Sequence, residues 1–336
     1  MKRCGIINYW WSSLDGHGAS LTALALYQSI LDIFDGRIKP ILIKTMFYPE
    51  PDKCERGRHY KFIKRWCEMT EKNYLSANDF RELSSIFDMI LLGSDQVFRV
   101  DWVPKEWYLN DVEDSVKKIA VSASFGTKKL AAGDTLIENA QKGLRRFYKL
   151  SVREEEGIET FKRYFFEAPD IQRIIDPVFW LDKRFYEKLL DKSRYELKKN
   201  KNKNIFFCFL DQNQEIKGIK NKLLEEGYNI YEDEPAVSAE DFLYLIKSVD
   251  YIITDSFHTM CFSIIFNKQF IGIYNQNRGS SRIDELKSLF KLPDLFREVK
   301  NMELFHFPQI DYEQVNEIIF DEANKAKKWM RDIISL

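Results

Sequence analysis

Apolar runs and amphipathic stretches alternate along the whole chain. "CGIINYW" reads as a strand, and "ASLTALALYQSILDIF" repeats its apolar residues on a 3.6-residue period, which predicts a helix. "KPILIKT", "FDMILLGS", "KKIAVSASFG" and "KLSVRE" predict further strands, with helix over most of residues 58–87, a helix near 129–147 and another from Glu154. The second half repeats the rhythm: "NIFFCFL", "YNIYE", "DYIITDS" and "QFIGIYN" as strands, "EIKGIKNKLLEEG" and "AEDFLYLIKSV" as helices. Strands that are apolar throughout, each exchanged for a helix, imply parallel sheets covered on both faces. Two such sets predict an α/β fold of two Rossmann-like domains facing a cleft.

The boundary falls near "IIDPVFWLD", where Asp176-Pro177 stops a strand. The expected domains are 1–178 and 179–336, with the last helix able to pack back on the N-terminal one. After the boundary, "KRFYEKLLDKSRYELKKNKNKN" predicts a basic helix, either a solvated helix plus a linker or a helix docked on an anionic surface.

Length and composition agree with this picture. The chain has 336 residues, 45% of them apolar and 31% charged, enough for two packed cores. Lys and Arg number 51 against 52 Asp and Glu, so no charge excess points to nucleic acid. The five cysteines (Cys4, Cys54, Cys67, Cys208 and Cys261) have no zinc-like spacing and read as reduced thiols. The opening apolar run is too short for a signal peptide and none is long enough to span a bilayer. The expectation is a cytoplasmic protein, with work at the inner face of a membrane left open.

Ligands of parallel α/β sheets gather at the carboxyl ends of strands. Four polar stretches directly follow strands here: "GSDQVF", "SASFG", "SVRE" and "TDSFH". In the last, Asp255 or Ser256 caps a helix and His258 falls in its first turn, where the helix dipole favours anions and a neutral imidazole. Such a histidine either exchanges protons or is a satisfied core residue. Arg153 ends its strand as a fork for phosphate or carboxylate, or as an ion pair with one of Glu154, Glu155 and Glu156. Ser94, Asp95 and Gln96 share a turn in which Asp95 can accept a proton from a sugar hydroxyl, though Gly-Ser-Asp is also ordinary turn chemistry. Gly126 with two serines suggests an anion nest. Arg278 and Arg282 flank a helix start in "NRGSSRIDEL" as a basic lip or a surface loop.

Other chemistries find no support. Leu21 occupies the third glycine position of a dinucleotide fingerprint that Gly16 and Gly18 would begin, and there is no Walker loop, metal-ligand spacing or Gly-x-Ser-x-Gly elbow.

Taken in order, "W…GHGASLTALALY", "LLGSDQVF", "VSASFG", "SVREEEGIE", "DPVFWLD", "DSFHTMCFSIIFNKQFI" and "NRGSSRIDEL" resemble the polysaccharide pyruvyl transferase family. The resemblance implies a glycosyltransferase B-like fold and transfer of a pyruvyl group from phosphoenolpyruvate to two sugar hydroxyls, closing a cyclic ketal. It implies His258 and Asp95 as catalytic residues, and Arg153, Ser256, Arg278, Arg282 and Gly126 around the donor. The acceptor side is His17, Trp11, Ser94 and Gln96, with Trp10 either in the same wall or packed beneath the loop. No metal or cofactor is implied, only phosphoenolpyruvate as co-substrate. The partners implied are that donor and a saccharide acceptor, lipid-linked, nucleotide-linked or polymeric, with the oligomeric state open. The chain departs from the family in reading Gly16-His17-Gly18 near its start, and in Ser256 and Thr259 flanking the histidine. A nucleotide-sugar glycosyltransferase and a non-catalytic glycan-binding relative are the alternatives.

Overall fold

The computed structural model describes residues 1–10, 17–45, 57–198, 201–234, 237–275, 279–298, 307 and 309–334. It divides into two compact units, the first of Met1–Asp15, Ala19–Leu181 and Asp321–Leu336, the second of Gly16–Gly18 and Asp182–Phe320.

The first unit is built on a seven-stranded sheet. In chain order the strands are β1 (Lys2–Ile7), β2 (Ile38–Lys44), β3 (Met69–Asn73), β4 (Met89–Asp95), β5 (Lys117–Ala123), β6 (Lys149–Val152) and β7 (Ile171–Arg173). They lie in the order β3-β2-β1-β4-β5-β6-β7, and every neighbouring pair is parallel. The chain reverses direction across the sheet between β1 and β4, which makes their carboxyl ends the switch point. β4 is buried from Met89 to Ser94, and only Asp95 at its end is partly exposed, as a strand covered on both faces requires. Pro40 of β2 pairs with β1 but precedes Leu42, where pairing to β3 begins, so its missing N–H removes no ladder bond.

The second unit holds a five-stranded sheet: β8 (Asn204–Cys208), β9 (Asn229–Tyr231), β10 (Tyr251–Thr254), β11 (Phe270–Ile273) and β12 (Phe296–Arg297). The order is β12-β11-β10-β8-β9, again all parallel, with the switch point between β8 and β10. Ile205, Phe207, Ile253, Ile271 and Ile273 from three of its strands form one apolar cluster with Ile216 and Leu223 of the helix Gln214–Glu225.

Two expectations are corrected. Residues 58–87 are not mostly helical, because β3 interrupts the helices Arg58–Trp66 and Ala77–Glu82. "MTEKN" pairs on one side only and has two exposed residues and none buried, so an edge strand left no apolar signal. The basic helix is also shorter than expected. It runs Lys183–Leu189 with a 3-10 turn Leu190–Lys192, after which Asp241 accepts bonds from the Ser193 hydroxyl and the Arg194 N–H. Those tertiary bonds peel the chain from helical geometry where local charge pattern alone would continue it. Among the described residues no helix is long and apolar enough to cross a membrane.

The last helix, Tyr312–Ile333, enters the first unit from Asp321 onward. Arg173 at the end of β7 donates to Glu322 at 2.6 Å, and Lys117 donates to the Ile333 carbonyl at 3.1 Å. Burial alone would raise the Glu322 carboxyl, but Lys325 and Arg173 hold it below the usual value of 4.5. A depressed carboxyl contributes stability above its unfolded pKa and loses it as the pH falls through the folded one. Glu322→Gln is therefore expected to lower unfolding free energy by ~1.5–3 kcal/mol at neutral pH. In urea titrations at descending pH, that deficit should shrink below pH 4.5; a deficit independent of pH would show that the loss is packing rather than charge.

Candidate functional site

Polar groups collect at the carboxyl ends of the strands in each sheet. In the first unit, β4 ends in Gly93-Ser94-Asp95 and β6 is followed by Arg153. The guanidinium is buried, with 2% of the side chain exposed, and forks between two carboxylates. One nitrogen donates to Asp176 Oδ2 at 2.7 Å, the other to Asp95 Oδ1 at 2.9 Å, and Glu154 lies 3.8 Å from Nε. Burial alone would pull the Arg153 pKa down; Asp95, Asp176 and Glu154 outweigh it and raise it. The glutamate pairing read from sequence is thus the longest of three contacts, and two aspartates supply the short ones.

The surrounding hydroxyls are spent on the same framework. Ser94 Oγ donates to the Ser122 carbonyl at 2.8 Å with Asp176 Oδ2 3.2 Å away, and Ser122 Oγ donates to the Ile175 carbonyl at 3.0 Å. Ser124 Oγ donates to Glu154 at 2.6 Å and accepts the Gly126 N–H at 3.0 Å. Gly126, at φ 64°, turns its N–H inward, and a β-carbon there would lie 2.5 Å from Gln96 Oε1. The expected anion nest is therefore closed by the protein's own hydroxyl and carboxamide. Asp95 is different. Its side chain is 15% exposed against 1% for Asp176, and its backbone sits at φ 78°, an uncommon conformation that aspartate tolerates better than most residues. Asp95 is the acid that this network presents to solvent.

In the second unit the ends of β8 and β10 are knitted together. Thr254 Oγ1 donates to the Cys208 carbonyl at 2.7 Å and accepts the Ser256 N–H at 2.9 Å. Ser256 caps the helix Phe257–Ile265 by accepting from the Thr259 N–H, which decides between the two capping candidates. His258 lies in the first turn, 8% exposed. Every residue of that helix is buried, so its N-terminus is fixed by packing as well as by its cap. Asp255 instead accepts from the Leu210 N–H and from Asn275 Nδ2, both at 2.7 Å, and the same Asn275 nitrogen reaches Asp211. The Arg282 guanidinium stands 5.5 Å from the centre of the Phe257 ring, next to His258 in the chain.

The opening loop divides. Trp10 is fully buried with its ring 6.2 Å from that of Tyr60, which favours the packing reading over the wall. His17 belongs to the second unit, where its Nε2 lies 3.1 Å from Asp233 Oδ1 and its ring 4.8 Å from Phe242. Trp11 and Arg278 lie outside the described residues. Asp176, Asp211, Asp233 and Asn275 were missed as polar partners, although each follows a strand's carboxyl end, the same signal that singled out Asp95. Among the described residues no group of three or more His, Cys, Asp or Glu is arranged to hold a metal ion. Beside the site, burial, with Asp233 adding to it, pushes the Cys208 thiol up to about 12, which disfavours its thiolate.

Two parallel doubly wound sheets with polar residues at their switch points define an α/β protein of the glycosyltransferase B-like kind. Solved structures of that kind resemble the chain over its whole length. UDP-GlcNAc 2-epimerase from Neisseria meningitidis bound to UDP-GlcNAc superposes with TM-score 0.55 at 11% identity, covering 99% of both chains. The Methanocaldococcus jannaschii UDP-GlcNAc 2-epimerase, in complex with UDP-GlcNAc and UDP, gives 0.54 at 13% identity, over 100% of this chain and 99% of that one. The enzyme from Rickettsia bellii gives 0.55 at 12%, over 99% and 96%. At such identities the likeness is one of fold. Comparison with curated proteins finds no match. The family model for polysaccharide pyruvyl transferase matches residues 17–277, most of the chain, and the protein belongs to that family of transferases.

The Arg153 network predicts an order of stabilities. Arg153→Ala leaves the buried Asp176 and Glu154 carboxylates beside Asp95 without their cation and should cost ~3–5 kcal/mol. Asp176→Asn keeps two acids beside the guanidinium and should cost clearly less. Guanidinium chloride unfolding checks both; equal midpoints for Arg153→Ala and wild type would show that the fork carries no structural load.

Proposed function

We propose that the protein transfers a pyruvyl group from phosphoenolpyruvate to two hydroxyls of one sugar, closing a cyclic ketal in a precursor of an exopolysaccharide or capsule. The observation that carries the reading is the family match over residues 17–277, which spans the stretches holding His17, Asp95, Arg153, Ser256 and His258.

In this reading the donor's carboxylate and phosphate are drawn by the positive end of the helix Phe257–Ile265 and by Arg282, with Arg278 as a further cation. His258 acts as general acid and base. A proton goes to the methylene carbon of the enol, and the first sugar hydroxyl adds to the neighbouring carbon and loses its proton. The C–O bond to phosphate then breaks, phosphate leaves with the bonding pair, and the second hydroxyl closes the ring on the cationic carbon. Asp95 orients the acceptor and takes a hydroxyl proton. Its burial and pairing suit Arg153 to hold Asp95 in place, an indirect role in which it does not grip the donor itself. Expulsion of phosphate supplies the driving force.

Thermal unfolding with phosphoenolpyruvate, inorganic phosphate and a panel of nucleotide-sugars tests the donor. A ligand at ~100 times its dissociation constant stabilises the native state by ~2.7 kcal/mol. The expected result is a shift with phosphoenolpyruvate that weakens in Arg282→Gln. A shift with nucleotide-sugars only would move the protein to glycosyl transfer on the same fold. With donor and acceptor supplied, His258→Ala should lower phosphate release by at least ~10² while unfolding like wild type. Turnover near normal in that variant would remove His258 from the chemistry.

A further inference from the structure

Gly18 is the first residue of the helix Gly18–Phe34, and alanine is a better residue for that place. Its backbone does not require glycine, for its φ lies outside the left-handed region. The space does. A β-carbon on Gly18 would lie 2.1 Å from Nδ1, 2.3 Å from Cγ and 2.6 Å from Cβ of His258, all closer than the 3.0 Å that real contacts respect. The overlap reaches the histidine's own β-carbon, so turning the ring about its first torsion gives no relief. Either the segment at Gly18 or the N-terminus of the helix Phe257–Ile265 would have to move. The helix end is capped by Ser256 and buried throughout, which makes it the stiffer of the two.

The other side of the same dipeptide is tied down. His17 is fully buried, its Nε2 donates to Asp233 Oδ1 at 3.1 Å, and its ring lies against Phe242. Asp233 follows β9, next to β8, whose Cys208 feels its charge and accepts a 3.4 Å contact from the Thr259 hydroxyl. Asp233, His17, Gly18 and His258 thus form a continuous line of contacts within the second unit.

We propose that Gly18 is a positioning residue whose bare α-carbon seats the His258 imidazole, and that the hydrogen bond from His17 to Asp233 holds Gly18 in place. The proposal rests on the catalytic reading of His258, and the test separates the two. Gly18→Ala, Asp233→Asn, His258→Ala and the double variant Gly18→Ala/His258→Ala are compared by turnover with phosphoenolpyruvate and acceptor, by urea midpoint, and by the NMR resonances of the His258 ring. Gly18→Ala is expected to lower kcat by ~10², as a misplacement of about 1 Å does, with the His258 resonances shifted and the urea midpoint lowered by the displaced packing. Asp233→Asn should shift the same resonances and lower kcat by a smaller factor. The double variant should be no slower than His258→Ala, because Gly18 acts only through that ring. Wild-type ring resonances in Gly18→Ala, or a double variant much slower than His258→Ala, would overturn the proposal. If His258→Ala turns over normally, the catalytic reading falls, and the resonance shift in Gly18→Ala then decides the seating of the ring by itself.

Discussion

A parallel sheet covered on both faces has no surface to spare for polar side chains, so they are pushed to the carboxyl ends of its strands. Both units obey this constraint. β4 is buried from Met89 to Ser94 and β10 from Ile252 to Thr254, and the charged groups come only after, at Asp95 and Asp255. The sheet orders then decide which strand ends matter most, because helices leave in opposite directions only at β1/β4 and β8/β10. Asp95 and His258 lie at those two strand ends, and Arg153 and, through it, Asp176 reach Asp95 from the ends of strands further along the first sheet.

The first unit shows how buried charge changes a reading. An arginine at a strand end looks like an anion clamp, and Arg153 has the fork for it. Two aspartates and a glutamate occupy that fork, leaving Asp95 as the more exposed end of the set. A buried ion pair of this kind is weak evidence for stability but strong evidence for fixed geometry, since losing one partner strands the other. Loss of activity on removing Arg153 is therefore not by itself proof of donor contact. The serine hydroxyls and the Gly126 N–H, which read as ligand groups in the sequence, complete this internal scaffold instead.

The second unit works by sterics rather than charge. Ser256, Thr254 and Thr259 fasten the start of one helix, and the absence of a side chain at Gly18 leaves room for the imidazole at its first turn. His17, expected to face an acceptor, is held instead by a polar contact with an acid of its own unit.

The sequence by itself determined the α/β class, most of the strands among the described residues in outline, and the strand-end turns that hold the candidate residues. Those rest on local signals: apolar runs, helical periodicity, a capping serine before a histidine. Order in the sheet, the partners of Arg153, the inward turn of Gly126 and the seat of His258 on Gly18 came only from tertiary structure. Each joins residues far apart in the chain, as Asp95 is to Arg153 and Asp176, or Gly18 to His258. β3 and β12 escaped for a related reason, being short edge strands whose pairing, not their composition, makes them strands. A pattern along the chain records what each residue prefers; which acid meets which base is settled by the packing that brings the strand ends together.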